Sequence, residues 1–184
     1  MRGLDMPTPH DSCLTERHLI LFAKIVRSLA GYERLIDDAA ITLSKADPTC
    51  FSLLTRGNDF RARRTMLLDV LRQVDYPMDR YDRISAQLLI PYTYSMLLHD
   101  IVHSEWTRHV PSNGIQPAWI FRCAPSVLPV RDWSDTGVED PLPRSADEYS
   151  YTLEQLETVA DTLSEGRRDF AAYLLAAGLL CATP

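Results

Sequence analysis

Two histidines and two acids fall within the stretch His99-Asp100-Ile101-Val102-His103-Ser104-Glu105, at the end of an apolar run. In a helix, His99 and His103 stand at i and i+4 on one face, where both imidazoles could reach one cation. With Asp100 between them they outline the H-E-x-x-H pattern of zinc hydrolases, Asp taking the place of the base. Asp is one methylene shorter than Glu, which draws the base back from a metal-bound water. A zinc site also needs a third ligand, and Glu105, His109 or a distant carboxylate are the candidates. Zinc-dependent hydrolysis through His99 and His103 is therefore an alternative reading, while the expectation is that the chain holds no metal and no cofactor.

The same residues also admit a structural reading. His103 would be a buried, hydrogen-bonded histidine at a helix C-terminus, where the dipole favours a cation. Trp106 would anchor that terminus on the core, leaving Asp100 and Glu105 solvated. Elsewhere, Arg56, Arg61, Arg63, Arg64 and Arg72 make the segment after Gly57 locally basic. Arg61 and Arg64, three apart, share a helix face there and form the candidate phosphate-facing patch; a solvated face with snorkelling side chains is the alternative. Asp79 and Arg83 are spaced as a helical ion pair. Glu33 and Asp37 stand four apart on the first helix. No Glu-x-x-His accompanies them, so they read as exposed acids beside Arg34 and not as a di-metal site.

Composition narrows the classes further. Of 184 residues, 46% are apolar and 24% charged, as in ordinary globular proteins. A net charge of -6 opposes a broad nucleic-acid surface, which draws its affinity from excess Lys and Arg. Cys13, Cys50, Cys123 and Cys181 are scattered, with no C-x-x-C pair, against both a thiolate zinc site and a disulfide framework. No signal-peptide core opens the chain, and the longest apolar run, 170–182, is shorter than the roughly 20 residues of a membrane span. These features predict a cytoplasmic protein without a membrane partner.

The elements that must carry the histidine cluster are mostly helical. After a loose arm (1–13), Thr15 caps a first helix with Leu19, Phe22, Ala23, Val26, Leu29, Ala30, Ile36, Ala40 and Leu43 as its apolar stripe. The helix stops before Asp47-Pro48. Residues 51–54 form a short helical turn ended by Gly57, and Asn58 caps a second long helix with Met66, Leu67, Val70, Leu71 and Val74 inward. Tyr76-Pro77 breaks it. A third helix runs from Met78 to the His99–His103 cluster, with Pro91 kinking or splitting it. The Pro-rich excursion 107–150 holds half of the chain's twelve prolines and a small hairpin at 118–131. Thr152-Leu153-Glu154-Gln155 is a capping box opening the last helix, with Tyr151 and Leu156 as its staple. The prediction is one all-α domain over 1–184: a bundle of four or five long helices with a small β-hairpin or loop excursion before the last.

That helix order, together with the segment Leu98 to His103, resembles the HEPN superfamily of all-α domains. Its motif is an arginine, a polar residue and, a few positions later, a histidine. Aligned on His103, His99 takes the polar slot, Asp100 follows it, and Leu98 stands in the arginine slot. The resemblance implies a bacterial toxin–antitoxin or defence setting and a homodimer, which an apolar last helix would also serve. In members with the full motif it implies metal-independent RNA cleavage. There the histidine handles a proton on the attacking 2′-hydroxyl or the leaving oxygen, and the arginine neutralises the developing charge. Here only His103 keeps its role. Leu98 cannot stabilise an anion, and losing one such donor costs on the order of a hundredfold to a thousandfold in rate. Arg83 lies several turns upstream, and Arg108 substitutes only if the chain turns back. The resemblance therefore implies a HEPN-like binding or regulatory module with RNA or a protein as partner; the candidate binding residues are Arg61 and Arg64 of the basic face, with Trp106 and Arg108 just past the motif. The enzymatic alternative is a ribonuclease built on His103, His99 and Asp100.

Overall fold

The protein is described by a computed structural model covering residues 13–110, 112–117 and 150–180. The order of elements is α1 (Glu16–Ser44), α2 (Pro48–Thr55), α3 (Phe60–Gln73), α4 (Met78–Gln87), α5 (Leu89–His103), β1 (Trp106–His109), β2 (Gly114–Pro117) and α6 (Leu153–Ala176). Among the described residues this is an all-α architecture with one small hairpin before the last helix. The hairpin expected at 118–131 lies outside the described residues, as do residues 1–12 of the arm. The hairpin that is described falls earlier, where Trp106 pairs with Pro117 and His109 with Gly114 in antiparallel register.

Helices α1, α2, α3 and α6 each begin where a short polar side chain takes a free amide, whereas α4 and α5 start without a side-chain cap. Thr15 Oγ1 accepts from His18 N, and His18 Nδ1 accepts in return from Thr15 N at 3.1 Å, a capping box with histidine in the third position. Asp47 Oδ1 accepts from Cys50 N at 2.9 Å, with Pro48 in the first turn, where its missing N–H is no loss. The α3 cap is Asp59, whose Oδ1 accepts from Ala62 N at 2.8 Å, not Asn58 as expected. Asn58 instead offers its backbone oxygen to Arg63 Nε at 3.2 Å. The expected split at Pro91 occurs between Gln87 and Leu89. Proline supplies no N–H to the carbonyl four residues back, which belongs to Gln87, and its ring crowds that oxygen. Thr152 and Gln155 form the predicted capping box at the start of α6.

The core is built on α1 and α6, which lie side by side and run in the same direction. Arg17 pairs with Glu157 near the two N-termini, and Tyr32 stacks on Phe170 at 5.8 Å about four turns further on. The buried face of α1 comprises Leu21, Phe22, Ile25, Leu29, Tyr32, Ile36, Ala39 and Ala40. It is rotated from the expected stripe, since Leu19 and Ile20 are half exposed and Ala23 and Ala30 face water. The segment Leu19 to Ala23 is apolar throughout, so spacing alone does not set the phase; the neighbouring helices do. On α3, Leu67 and Leu71 are buried as expected, Leu68 joins them, and Val74 is nearly half exposed. On α6, Phe170 and Leu174 are sealed while Leu175 is half exposed, so its last turns are amphipathic and not buried all round.

The hairpin is tied to α6 through its second strand. Ile115 N donates to Tyr151 O at 2.9 Å and Tyr151 N to Ile115 O at 2.7 Å. Gly114 is required beside this bridge, because a Cβ there would lie 2.6 Å from the Tyr151 carbonyl oxygen. Backbone cannot swing aside as a side chain can. Gly114→Ala is expected to lower stability by about 1–3 kcal/mol, as overpacking does. Hydrogen exchange at the amides of Ile115 and Tyr151 should accelerate; unchanged exchange and unchanged urea midpoint would contradict this.

Candidate functional site

His99 and His103 lie on the outward face of the last turns of α5, their ring centroids 4.8 Å apart. Both are exposed. The buried-histidine reading of His103 is thus corrected: the α5 face that seeks the core here is the one carrying Leu97 and Asp100. Asp100 is 6% exposed, not solvated, while Glu105 is at the surface. Helical geometry explains the division, because His99 and His103 share a face and Asp100 points about a quarter-turn away from His99. Position Leu98, the arginine slot of the resemblance, is filled by a partly buried side chain packed against the core.

The helix ends at Ser104, whose N–H donates to Asp100 O at 3.0 Å. Beyond it, Trp106 is held by packing. Its ring lies 4.9 Å from Phe22 and 6.2 Å from Tyr151, and its carbonyl accepts from Cys13 Sγ at 3.1 Å. Burial pushes the Cys13 thiol up, which keeps it protonated as that donor. Trp106 therefore anchors the hairpin between the starts of α1 and α6, the expected anchoring role. Arg108 is directed along the hairpin, where Nη2 donates to Asn113 Oδ1 at 2.9 Å.

Arg61 and Arg64 do not form one phosphate-facing surface. Arg61 is exposed on the outer face of α3, alongside Asp59, Thr65 and Asp69. Arg64 is turned inward, its guanidinium 5.2 Å from the centre of the Tyr92 ring, and burial pulls its pKa down. Arg63 pairs with Asp37, so the acids of α1 are not simply exposed neighbours of Arg34. Arg83, expected to pair with Asp79, lies instead over the Tyr173 ring at 4.7 Å. Among the described residues no group of three or more His, Cys, Asp or Glu side chains is placed to hold a metal ion. No helix among them is long and apolar enough to cross a membrane.

His18 escaped sequence reasoning, since an isolated histidine three positions after a threonine cap carries no catalytic spacing. It is buried, and burial lowers its pKa, so Nδ1 remains the unprotonated acceptor that the α1 cap needs. Its signal was the position three residues after Thr15, where a capping box usually has Glu or Gln.

Compared with models of known protein families, with curated proteins and with solved structures, the chain shows no match.

Proposed function

We propose that the chain is a HEPN-like binding or regulatory module that contacts RNA through the His99–His103 face of α5 and does not cut it. The observation that carries this reading is the division at the end of α5. Two imidazoles face water side by side, while the arginine position holds Leu98, packed against the core. Adjacent imidazoles can donate hydrogen bonds to phosphate oxygens. Without a guanidinium at that position, the charge that develops during cleavage lacks its expected stabiliser. A homodimer in a bacterial toxin–antitoxin or defence setting, located in the cytoplasm, completes the proposal on the strength of the resemblance.

The test uses a single-stranded RNA oligonucleotide with chelator present. Fluorescence anisotropy is expected to show binding, weakened about tenfold in His99→Ala/His103→Ala, as the loss of charged or polar phosphate contacts would produce. No cleavage above background is expected. RNA cleavage abolished by His103→Ala would restore the ribonuclease reading, and unaltered binding in the double variant would remove the assigned face.

A further inference from the structure

Between α4 and α6 lies a cleft of about 590 Å³, lined by Arg80, Arg83 and Gln87 on one side and by Asp169, Tyr173 and Ala172 on the other. None of these residues belongs to the His99–His103 face, so the cleft stands independently of the function proposed above. Arg80 and Arg83, about one turn apart on α4, make no salt bridge among the described residues. The Arg83 guanidinium is held over the Tyr173 ring, which fixes its orientation at the edge of the cleft. Gln87 Oε1 and the Tyr173 hydroxyl are both buried without a hydrogen-bond partner, as is the hydroxyl of nearby Tyr76. Buried polar atoms normally find partners, and orphans mark places where something else supplies them. Burial pushes the Tyr173 phenol up, with Tyr76 adding to the rise and Arg83 and Arg80 opposing it. The phenol thus keeps its proton at neutral pH and remains a donor.

We infer that this cleft binds a small phosphate monoester, its phosphate held by Arg80, Arg83 and the Tyr173 hydroxyl and its apolar body laid along Ala172 and Ala176. Two guanidinia and a phenol offer more donors than the two oxygens of a carboxylate can use, whereas a phosphate presents three terminal oxygens. The volume lies within the range of small-ligand sites. The alanines of α6 leave that room and present hydrocarbon to the ligand. A hydroxyl on the ligand body would donate to Gln87 Oε1. Asp169, one turn before Tyr173 on the same wall, opposes an anion and limits affinity.

The experiment is calorimetric titration of the full chain with phenyl phosphate, benzoate, phenol and a single-stranded RNA oligonucleotide. Phenyl phosphate is expected to bind at least about tenfold more tightly than benzoate or phenol, the margin one further charged hydrogen bond supplies. Arg80→Gln and Arg83→Gln should each weaken it about tenfold by the same reasoning, and Asp169→Asn should strengthen it. Arg80 makes no ring contact, so its variant carries the test should loss of the Arg83–Tyr173 stack disturb the fold. Benzoate binding as tight as phenyl phosphate, binding unchanged in Arg80→Gln, binding of RNA alone, or no heat with any probe at millimolar concentration would each overturn the inference.

Discussion

Tyr32→Ala is expected to remove about 3–5 kcal/mol of folding stability, the usual cost of truncating a sealed aromatic side chain. Tyr32 is 1% exposed and joins three helices, stacking on Phe170 of α6 at 5.8 Å and meeting the edge of Phe60 of α3 at 6.5 Å. Urea denaturation should show the midpoint falling steeply, and a loss below about 1 kcal/mol would show that the site collapses freely. The hydroxyl is a separate matter. A Cβ on Gly166 would lie 2.6 Å from Tyr32 Oη. Gly166→Ala therefore gains helix propensity of about 1 kcal/mol but meets an overpacking cost of about 1–3 kcal/mol. In a Tyr32→Phe background that clash is gone, so the same alanine should become neutral or stabilising, a coupling a double-mutant cycle reads directly.

Tyr32 also marks the alkaline limit. Burial, reinforced by Asp169 and opposed by Arg167, pushes its phenol from 10.0 up to about 12. The folded chain thus holds this proton more tightly than the unfolded one. Its contribution is intact below the unfolded value near 10 and is lost as pH rises from there towards about 12. Tyr32→Phe should flatten the stability profile over that window.

Arg63→Ala is expected to cost about 3 kcal/mol at neutral pH, the lower part of the range for stranding one partner of a buried ion pair. Its guanidinium donates to Asp37 Oδ2 on α1, and Nη2 donates to Thr55 O, at the end of α2, at 3.2 Å. With Nε on Asn58 O, one side chain clamps α1 to the α2–α3 turn. The Arg63 and Asp37 side chains are only 14% and 24% exposed. Burial still pushes Asp37 above its ordinary value, against the pull of Arg63, and Glu33 is raised for the same first reason. A raised carboxyl favours the protonated folded state, so its ionisation costs stability as pH climbs from the unfolded value through the folded one. Without Arg63 that cost grows. The variant should therefore lie closest to the parent in acid and fall away towards pH 7, and Asp37→Asn should recover part of the loss. A deficit independent of pH would mean that Arg63 acts through its backbone contacts alone.

Where a rule needs only a few consecutive residues, the sequence was a good guide. Thr15 and Thr152 each satisfy amides within the next turn, and Pro91 removes a donor from the carbonyl four residues earlier, so the start of α1, the start of α6 and the α4–α5 break could all be read in advance. The same locality put His99 and His103 on one face. Asn58 against Asp59 shows its resolution: either side chain can cap, and the neighbouring Arg63 engages the asparagine backbone.

What lay beyond reach depends on partners distant along the chain. Leu19 to Ala23 offers several apolar phases, and α6, arriving well over a hundred residues later, selects the one that buries Tyr32 against Gly166 and Phe170. Arg61 and Arg64 look equivalent in sequence, but Tyr92 is within reach of only one face of α3. The structural reading of α5, with His103 in the core and Asp100 in water, has the two reversed for a similar reason, whereas the readings that need His103 at the surface match its exposure: the rotation of α5 about its own axis is set by what packs on it. Periodicity specifies that a helix has an inside, whereas burial of hydrocarbon against particular neighbours decides which side that is.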